Sequence, residues 1–385
     1  FLHFESNLFS LSIFNMNKLK IVIISRTIYP TLAPRSHRAT ELAKELARRG
    51  HQVTLYALLG SYDYSQFIRD TGVIVKNLGK SRFGNINSDS KTSSNLILKA
   101  LKKMFGRFIY FPDIELIPMV KKVIKKEKSI DYLITVAVPF ANHFGAALAR
   151  QKYGQNIIKC WVSDCGDPFM GNSFEKYPFY FSFIEKWWCR KTDFITIPIE
   201  EARNGYYKEF HHKLRVIPQG FDFFNIQLAD YKGNNIPHFA YSGNVYPYKR
   251  DPSKFLEYLC SLVGKDFRFI VYTQTPEIFQ KYKSCLKEKL IINSFIPREN
   301  LLKDLSKMDF LINIRNNSTT QQPSKLIDYY LTKRPILEIG SSFEEKEYFD
   351  EFLDSNYSHK LVQYDISQYD ISKVADKFLE LYRLK

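Results

Sequence analysis

Residues 309–340, DFLINIRNNSTTQQPSKLIDYYLTKRPILEIG, constrain the fold more than any other stretch of the chain. The run Phe310-Leu311-Ile312-Asn313-Ile314 is apolar nearly throughout, the pattern of a strand buried on both faces of a parallel sheet. A polar loop follows over 315–322. Pro323 then marks a helix start, where a missing N–H leaves nothing unpaired. Leu326, Ile327, Tyr329, Tyr330 and Leu331 carry the helix, residues 332–335 end it, and Ile336-Leu337-Glu338-Ile339 reads as the next strand. Strand, loop, helix, strand is a unit of a doubly wound parallel sheet, and such sheets bind ligands beyond the carboxyl ends of their strands. A helix start there offers N–H groups and the positive end of a dipole. Ser324 and Lys325 add a hydroxyl and a cation, and Asp328 lies one turn on, within reach of sugar hydroxyls. These residues fit a nucleoside-diphosphate cradle, and they also fit an ordinary capped helix.

At 385 residues the chain is too long for one ordinary core, so two domains are expected. Its 45% hydrophobic and 25% charged residues describe a globular chain and exclude a disordered one. The formal charge of +16 favours anionic partners: nucleotides, acidic membranes or nucleic acid. The cysteines Cys160, Cys165, Cys189, Cys260 and Cys285 are odd in number and lack CxxC spacing. They predict neither a disulfide framework nor a zinc cluster and point to a reducing cytoplasm. No apolar run approaches the ~20 residues a bilayer requires. Residues 1–15 lack the basic start and small-residue cleavage site of a signal peptide. Met16 with Asn17-Lys18-Leu19-Lys20 reads as the natural start, which makes 1–16 an upstream extension without a role.

Ile21-Val22-Ile23-Ile24-Ser25 reads as a central parallel strand and 53–57 as the second. Between them, 37–50 is helical, with Ala39, Leu42, Ala43, Leu46 and Ala47 on one face and Gly50 as the stop. This opening lacks the GxGxxG turn of a dinucleotide site, so NAD is disfavoured. Its loop offers Arg26, Arg35, His37 and Arg38, either to an anionic ligand or as a solvated basic loop. Further strands are expected at 132–136, 157–162, 194–198 and 214–218. Beyond the strand at 157–162, Asp164 and Asp167 sit beside Gly166 and Pro168. They are candidates to orient an acceptor hydroxyl or act as base, and equally candidates for turn chemistry.

Residues 223–237 have little periodicity and read as a linker. The second half opens with Phe239-Ala240-Tyr241-Ser242-Gly243, whose glycine lets backbone approach a pyrophosphate that Lys249 or Arg250 neutralises. Strands at 267–272 and 291–296 follow. From Asp365 the tail is helical, with Val374, Phe378, Leu379 and Tyr382 on one face. Residues 99–128 are strongly basic, with Phe105, Phe108, Tyr110 and Phe111 interleaved. That composition suits an anionic membrane surface, and it suits a solvated helix face as well. No recognised nucleic-acid module is present, so no nucleic-acid partner is expected.

Taken together, the KIVIIS strand, HRATELAKELARRGHQV, KLRVIPQGFD, YSGNVYPYKR and PSKLIDYYLTKRPIL resemble a glycosyltransferase of the GT-B architecture, specifically the retaining family 4. The resemblance covers nearly all of 17–385, and PSKLIDYY is most similar to bacterial capsule, O-antigen and exopolysaccharide transferases. It implies an α/β fold of two Rossmann-like doubly wound domains facing a cleft. These are an acceptor-side domain over 17–222, the linker 223–237, a nucleotide-sugar-binding domain over 238–364, and a C-terminal helix over 365–385 crossing back to the first domain. Gly243 and Lys249 match the donor loop that meets the diphosphate, with Asn244 between them. Ser324, Lys325 and Leu326 match the helix start that cradles phosphate. Asp328 matches an acid that binds the donor ribose, and Pro297 and Arg298 lie where the base is held. Lys249, Arg250 and Lys325 then neutralise the leaving diphosphate without a metal. Three departures are visible: Thr320 where the first acid of the ribose pair falls, Asn244 where an arginine is usual, and 29–35 in place of a glycine-rich loop.

The function so implied is transfer of a sugar from a nucleotide-sugar donor to a lipid-linked or saccharide acceptor in cell-surface polysaccharide biosynthesis. It is expected to be retaining and metal-independent, in the cytoplasm or peripheral on the inner face of the plasma membrane through 99–128. The nucleotide sugar is a substrate, and no cofactor is expected. A nucleotide-sugar epimerase of the same architecture is the alternative, and a catalytically weakened scaffold of the same fold is a third reading.

Overall fold

The computed structural model describes residues 18–31, 33–82, 105–172, 175–224, 226–247, 250–315, 325–362 and 365–385. The chain divides into two units, Phe1–Phe221 with Tyr369–Lys385, and Asp222–Gln368. In the first, seven strands form one sheet: β1 (Lys20–Ile24), β2 (Gln52–Ala57), β3 (Ile74–Asn77), β4 (Ile130–Ala137), β5 (Ile158–Cys165), β6 (Phe194–Ile197) and β7 (Leu214–Val216). Their order is 3-2-1-4-5-6-7 and every pair is parallel. The helices are α1 (Pro34–Arg48), α2 (Ser65–Thr71), α3 (Leu116–Glu127), α4 (Ala141–Tyr153) and α5 (Phe181–Lys191).

The unbroken apolar run of β1 is explained by burial on both sides. Ile21 and Ile23 pack in one cluster with Ala39, Leu42 and Leu46 of α1. Val22 and Ile24 pack in the other with Val120 and Ile124 of α3 and with Phe144 of α4. The first helix begins at Pro34, a turn before the periodicity sets in, because proline is tolerated in a first turn. The edge strand β3 has no apolar run to announce it, since none of its residues is buried. Helix α4 is buried over most of its surface, which erases the one-sided pattern that would reveal it.

Glu127, at the end of α3, receives Lys20 at 2.8 Å, Lys76 at 2.8 Å and the Tyr56 hydroxyl at 2.6 Å. Burial alone would raise its carboxyl, but these partners outweigh burial and hold it at about 2, against an ordinary 4.5. The stability it contributes is therefore full above pH 4.5 and is lost as pH falls toward 2. Glu127→Gln is expected to flatten the loss of stability across that window, as read by circular dichroism during acid titration.

The second unit holds β8 (His238–Ser242), β9 (Arg268–Tyr272), β10 (Leu290–Asn293), β11 (Phe310–Ile314) and β12 (Ile336–Ile339), in the order 10-9-8-11-12, all parallel. Around it run α6 (Ser253–Ser261), α7 (Glu277–Gln280), α8 (Lys283–Leu286), α9 (Arg298–Leu305), α10 (Lys325–Leu331) and α11 (Lys346–Leu353). Aromatic rings build this core. Phe239 stacks on Phe269 at 5.0 Å and on Phe310 at 4.9 Å. The stretch expected as a linker is tied down: the Tyr231 hydroxyl and Asn234 Nδ2 both donate to Asp309, the latter at 3.0 Å. The Arg334 guanidinium covers the Tyr231 ring at 3.5 Å.

The last helix, α12 (Ile371–Arg383), belongs to the first unit. Phe221 and Ile371 exchange backbone hydrogen bonds with Tyr369 and Phe221, both 2.8 Å, and Tyr132 donates to the Phe378 carbonyl at 2.7 Å. A Cβ on Gly220 would lie 2.5 Å from Ile371 Cδ1 and 3.3 Å from Ile371 Cα, so a larger residue here would push on the start of α12.

One expectation is corrected. The cysteine spacing predicts no disulfide, yet Cys260 of α6 and Cys285 of α8 are joined, with Cα atoms 5.9 Å apart. Pairing depends on proximity in the fold, which spacing does not encode. Cys160, Cys165 and Cys189 are free and buried. Among the described residues no helix is long and apolar enough to cross a membrane.

Candidate functional site

In the second sheet the connections run one way from β8 and the other way from β11, so the chain diverges beyond the carboxyl ends of these adjacent strands. That divergence is where open α/β sheets receive ligands. Gly243 follows β8 with φ 141° and donates its N–H to the Tyr272 carbonyl at 2.9 Å. A Cβ here would lie 3.2 Å from the Tyr241 hydroxyl. Gly243→Ala is expected to cost on the order of 1–3 kcal/mol of stability through backbone strain, and to weaken nucleoside-diphosphate binding. Thermal denaturation and calorimetric titration together check this.

Asn244 replaces the usual arginine, and its role is to fasten the loop. Its side-chain oxygen accepts from the Gln274 N–H at 3.0 Å, and its carbonyl accepts from Tyr241 at 3.1 Å and from Arg250 Nη1 at 3.2 Å. Backbone bonds between Tyr246 and Arg250, 3.1 and 2.9 Å, return the chain so that Arg250 faces Tyr241. Lys249 lies outside the described residues, as do Thr320, Pro323 and Ser324.

The buried face of α10 fixes Lys325. Leu326, Ile327, Tyr329 and Tyr330 turn into the core, and the Ser242 N–H donates to the Tyr329 hydroxyl at 2.7 Å, tying α10 to the end of β8. Leu326 is thus a core residue and offers a ligand only backbone. Lys325 Nζ lies 4.5 Å from the centre of the Tyr241 ring, buried and without a hydrogen-bond partner among the described residues. Burial drives its pKa well below 10.5, the nearby Arg250 charge adds to this, and Glu338 opposes it. A buried ammonium beside a guanidinium is what an anion would complete.

Arg298 opens α9 directly after its N-cap Pro297, and its Nε donates to Asp328 Oδ1 at 2.8 Å. The resemblance implies base and ribose contacts for these two separately; the structure joins them in an ion pair. Sequence reasoning missed Arg315, Glu338 and Asn313. Asn313 Nδ2 donates to Glu338 at 2.6 Å, and Arg315 Nη1 lies 3.8 Å from the other Glu338 oxygen. Their only signal was position: Asn313 breaks the apolar run of β11, and Arg315 is the first residue beyond it.

In the first unit, Asp164 ends up inside. It is 1% exposed, accepts from Arg38 at 3.1 and 2.8 Å and from Thr196 at 2.7 Å, and lies 3.6 Å from Arg35. Burial would raise its carboxyl, but the Arg38 fork, Arg35 and Thr196 outweigh burial and hold it below the usual range. Arg38 also donates to the carbonyls of Ile217 and Pro218. Asp164 and Arg38 thus form a buried tie between β5 and the end of β7. Arg35 packs its guanidinium so closely on Gly166 that a Cβ there would lie 2.5 Å away. Burial pulls the Arg35 pKa down, against the fields of Asp164 and Asp167. Asp167 itself is only half-buried and forms no ion pair among the described residues. His37 stands 3.5 Å from Gln219 Nε2 and 5.5 Å from the Phe221 ring.

No protein-family model matches the sequence, and no curated protein sequence matches it. Its structure is similar to a glycosyltransferase from Rickettsia africae, with TM-score 0.59 and 14% identity over 96% of this chain and 99% of that one. It is similar to HepE of Anabaena, determined with UDP and glucose, with TM-score 0.58 and 10% identity over 95% and 98%. A third likeness is to WaaB, a lipopolysaccharide outer core galactosyltransferase, with TM-score 0.50 and 9% identity over 95% and 97%. At such identities the likeness speaks for architecture, and in architecture the chain has the GT-B fold of these glycosyltransferases, an α/β fold of two Rossmann-like parallel sheets.

Proposed function

We propose that this chain transfers a sugar from a nucleotide-sugar donor to a saccharide or lipid-linked acceptor, with the donor diphosphate held in the second unit. The observation that carries the reading is Lys325: a buried ammonium with no hydrogen-bond partner among the described residues, next to Arg250, at the carboxyl ends of β8 and β11. Cleavage of the anomeric C–O bond leaves new negative charge on the diphosphate. Arg250 and Lys325, with Lys249 by resemblance, are assigned to stabilise that charge, so this reading routes no step through a metal or cofactor. Asp167, the carboxylate not consumed by an ion pair, is assigned to orient the acceptor hydroxyl. Retention of configuration rests on the sequence resemblance alone, and a role in cell-surface polysaccharide synthesis on that resemblance and on the likeness to WaaB, a lipopolysaccharide outer core galactosyltransferase.

The experiment is a panel of labelled UDP-, ADP- and GDP-sugars incubated with membrane-lipid and oligosaccharide acceptors. Transfer that depends on acceptor supports the reading. A changed sugar released without acceptor would identify an epimerase, and binding without turnover a scaffold.

We further propose an anionic membrane surface as partner, through the region of 99–128. Phe108 and Ile109 are half exposed, Phe179 and Phe183 are 78% and 68% exposed, and the Tyr180 hydroxyl on the Phe108 carbonyl brings the two segments together. Lys122, Lys125 and Lys126 of α3 are exposed nearby in sequence. Sedimentation with anionic vesicles is expected, and charge reversal at Lys121, Lys122, Lys125 and Lys126 is expected to reduce it at least about tenfold. Unchanged sedimentation of that variant would reject the patch.

A further inference from the structure

A cavity of about 570 Å³ opens in the first unit where β5, β6 and β7 begin. It is bounded by the end of α4, the end of α5 and the turns entering β6 and β7. The sheet is parallel, so this is the opposite end from the loop carrying Gly166 and Asp167. The eight residues of β5 separate the two by about 25 Å at the rise of an extended strand. The cavity is therefore no part of the site described above.

Its lining is unbalanced in charge. Six lysine and arginine side chains face one carboxylate, Asp193, together with two glutamines. Asp193 is already committed. It accepts from Arg150 at 2.6 and 3.3 Å and from the Trp161 N–H at 2.8 Å, and it lies 2.7 Å from Lys385 Nζ. Lys213 spends its ammonium on the last carbonyls of α5, donating to those of Cys189, Arg190 and Thr192 at 2.9, 3.0 and 2.7 Å. The negative end of that helix is thus quenched and does not oppose an anion. Burial lowers the Lys213 pKa, with Asp193 and Cys189 opposing and Arg150 and Lys385 acting in the same direction as burial. Lys191 and Arg215 have no carboxylate partner among the described residues, and Arg190 reaches only Glu209, at 3.6 Å. Arginine forks at a concave, cation-rich wall suit the oxygens of a phosphate.

We propose that this cavity binds a phosphorylated anion: a phosphate or diphosphate group carried by a small molecule or by a lipid headgroup. The test is calorimetric titration of the full chain with inorganic pyrophosphate. Wild type, an Arg190→Gln/Lys191→Gln/Arg215→Gln variant and Lys325→Met are compared. A binding event is expected that the triple substitution weakens at least about tenfold, that salt weakens, and that Lys325→Met leaves in place. Arg190→Gln alone, at a side chain 62% exposed, is expected to weaken it in the same direction without touching packing. Sedimentation with phosphatidylglycerol against phosphatidylcholine vesicles separates the sources. Loss of binding in the triple variant assigns a lipid headgroup, and an unaffected vesicle arm with the pyrophosphate effect intact assigns a free phosphorylated ligand. Pyrophosphate binding that the triple variant leaves unchanged, or that Lys325→Met alone abolishes, would overturn the proposal.

Discussion

Replacing Lys325 by methionine is expected to stabilise the ligand-free protein while removing nearly all transfer activity. The ammonium is buried, donates no hydrogen bond among the described residues and lies in the field of Arg250. Burying an uncompensated charge costs stability, and methionine fills a similar volume without it, so a gain on the order of 2 kcal/mol is expected. The pH dependence has a fixed sign. The folded pKa of Lys325 is lowered, so the unfolded chain holds the proton more tightly. The deficit is full below the lowered folded pKa and shrinks as pH rises from there toward 10.5, the ordinary lysine value, so wild type and variant should converge in stability there. With nucleotide sugar present the order reverses. The anion supplies the missing partner, and loss of one such electrostatic group lowers turnover about 10²- to 10³-fold. Opposite signs for stability and activity are the mark of a group held for a ligand. A lysine that merely packed would lose both together.

The second large effect is expected at Asp164. Asp164→Ala leaves the guanidinium groups of Arg38 and Arg35 in a protein interior without their carboxylate. Removing one partner of a buried ion pair costs about 3–5 kcal/mol, a fall in melting temperature on the order of 10 °C. Asp167→Asn, at a half-buried residue outside any ion pair among the described residues, is expected to leave the melting temperature within about 2 °C while lowering turnover. The contrast separates the two carboxylates. If Asp164→Ala lost activity at full stability, the structural assignment of Asp164 would be wrong.

The legibility of these features differed for physical reasons. Strands buried on both faces announced themselves, since β1, β11 and β12 show runs of apolar residues. The alternation of these strands with helices gave the parallel sheets. The position of Gly243 at the end of β8, and of Arg298, Lys325 and Asp328 in the first turn of a helix, could be read from the sequence. What a single chain does not display is which charges meet. Asp164 and Asp167 look alike in sequence, and only the fold shows that one faces two arginines while the other does not. Arg298 and Asp328, 30 residues apart, likewise gave no hint of their 2.8 Å contact. The pairing of Cys260 with Cys285 was hidden for the same reason, as was the basic cavity, whose cations come from α4, α5, β7 and the last residue.

The most direct test of the account is calorimetric titration of wild-type and Lys325→Met protein with UDP, ADP and GDP. The account expects wild type to bind at least one of them and the variant to bind that one at least about 100-fold more weakly, by loss of a charge-assisted contact in a buried site. Equal binding by both proteins, or no nucleoside diphosphate bound by wild type, would contradict it.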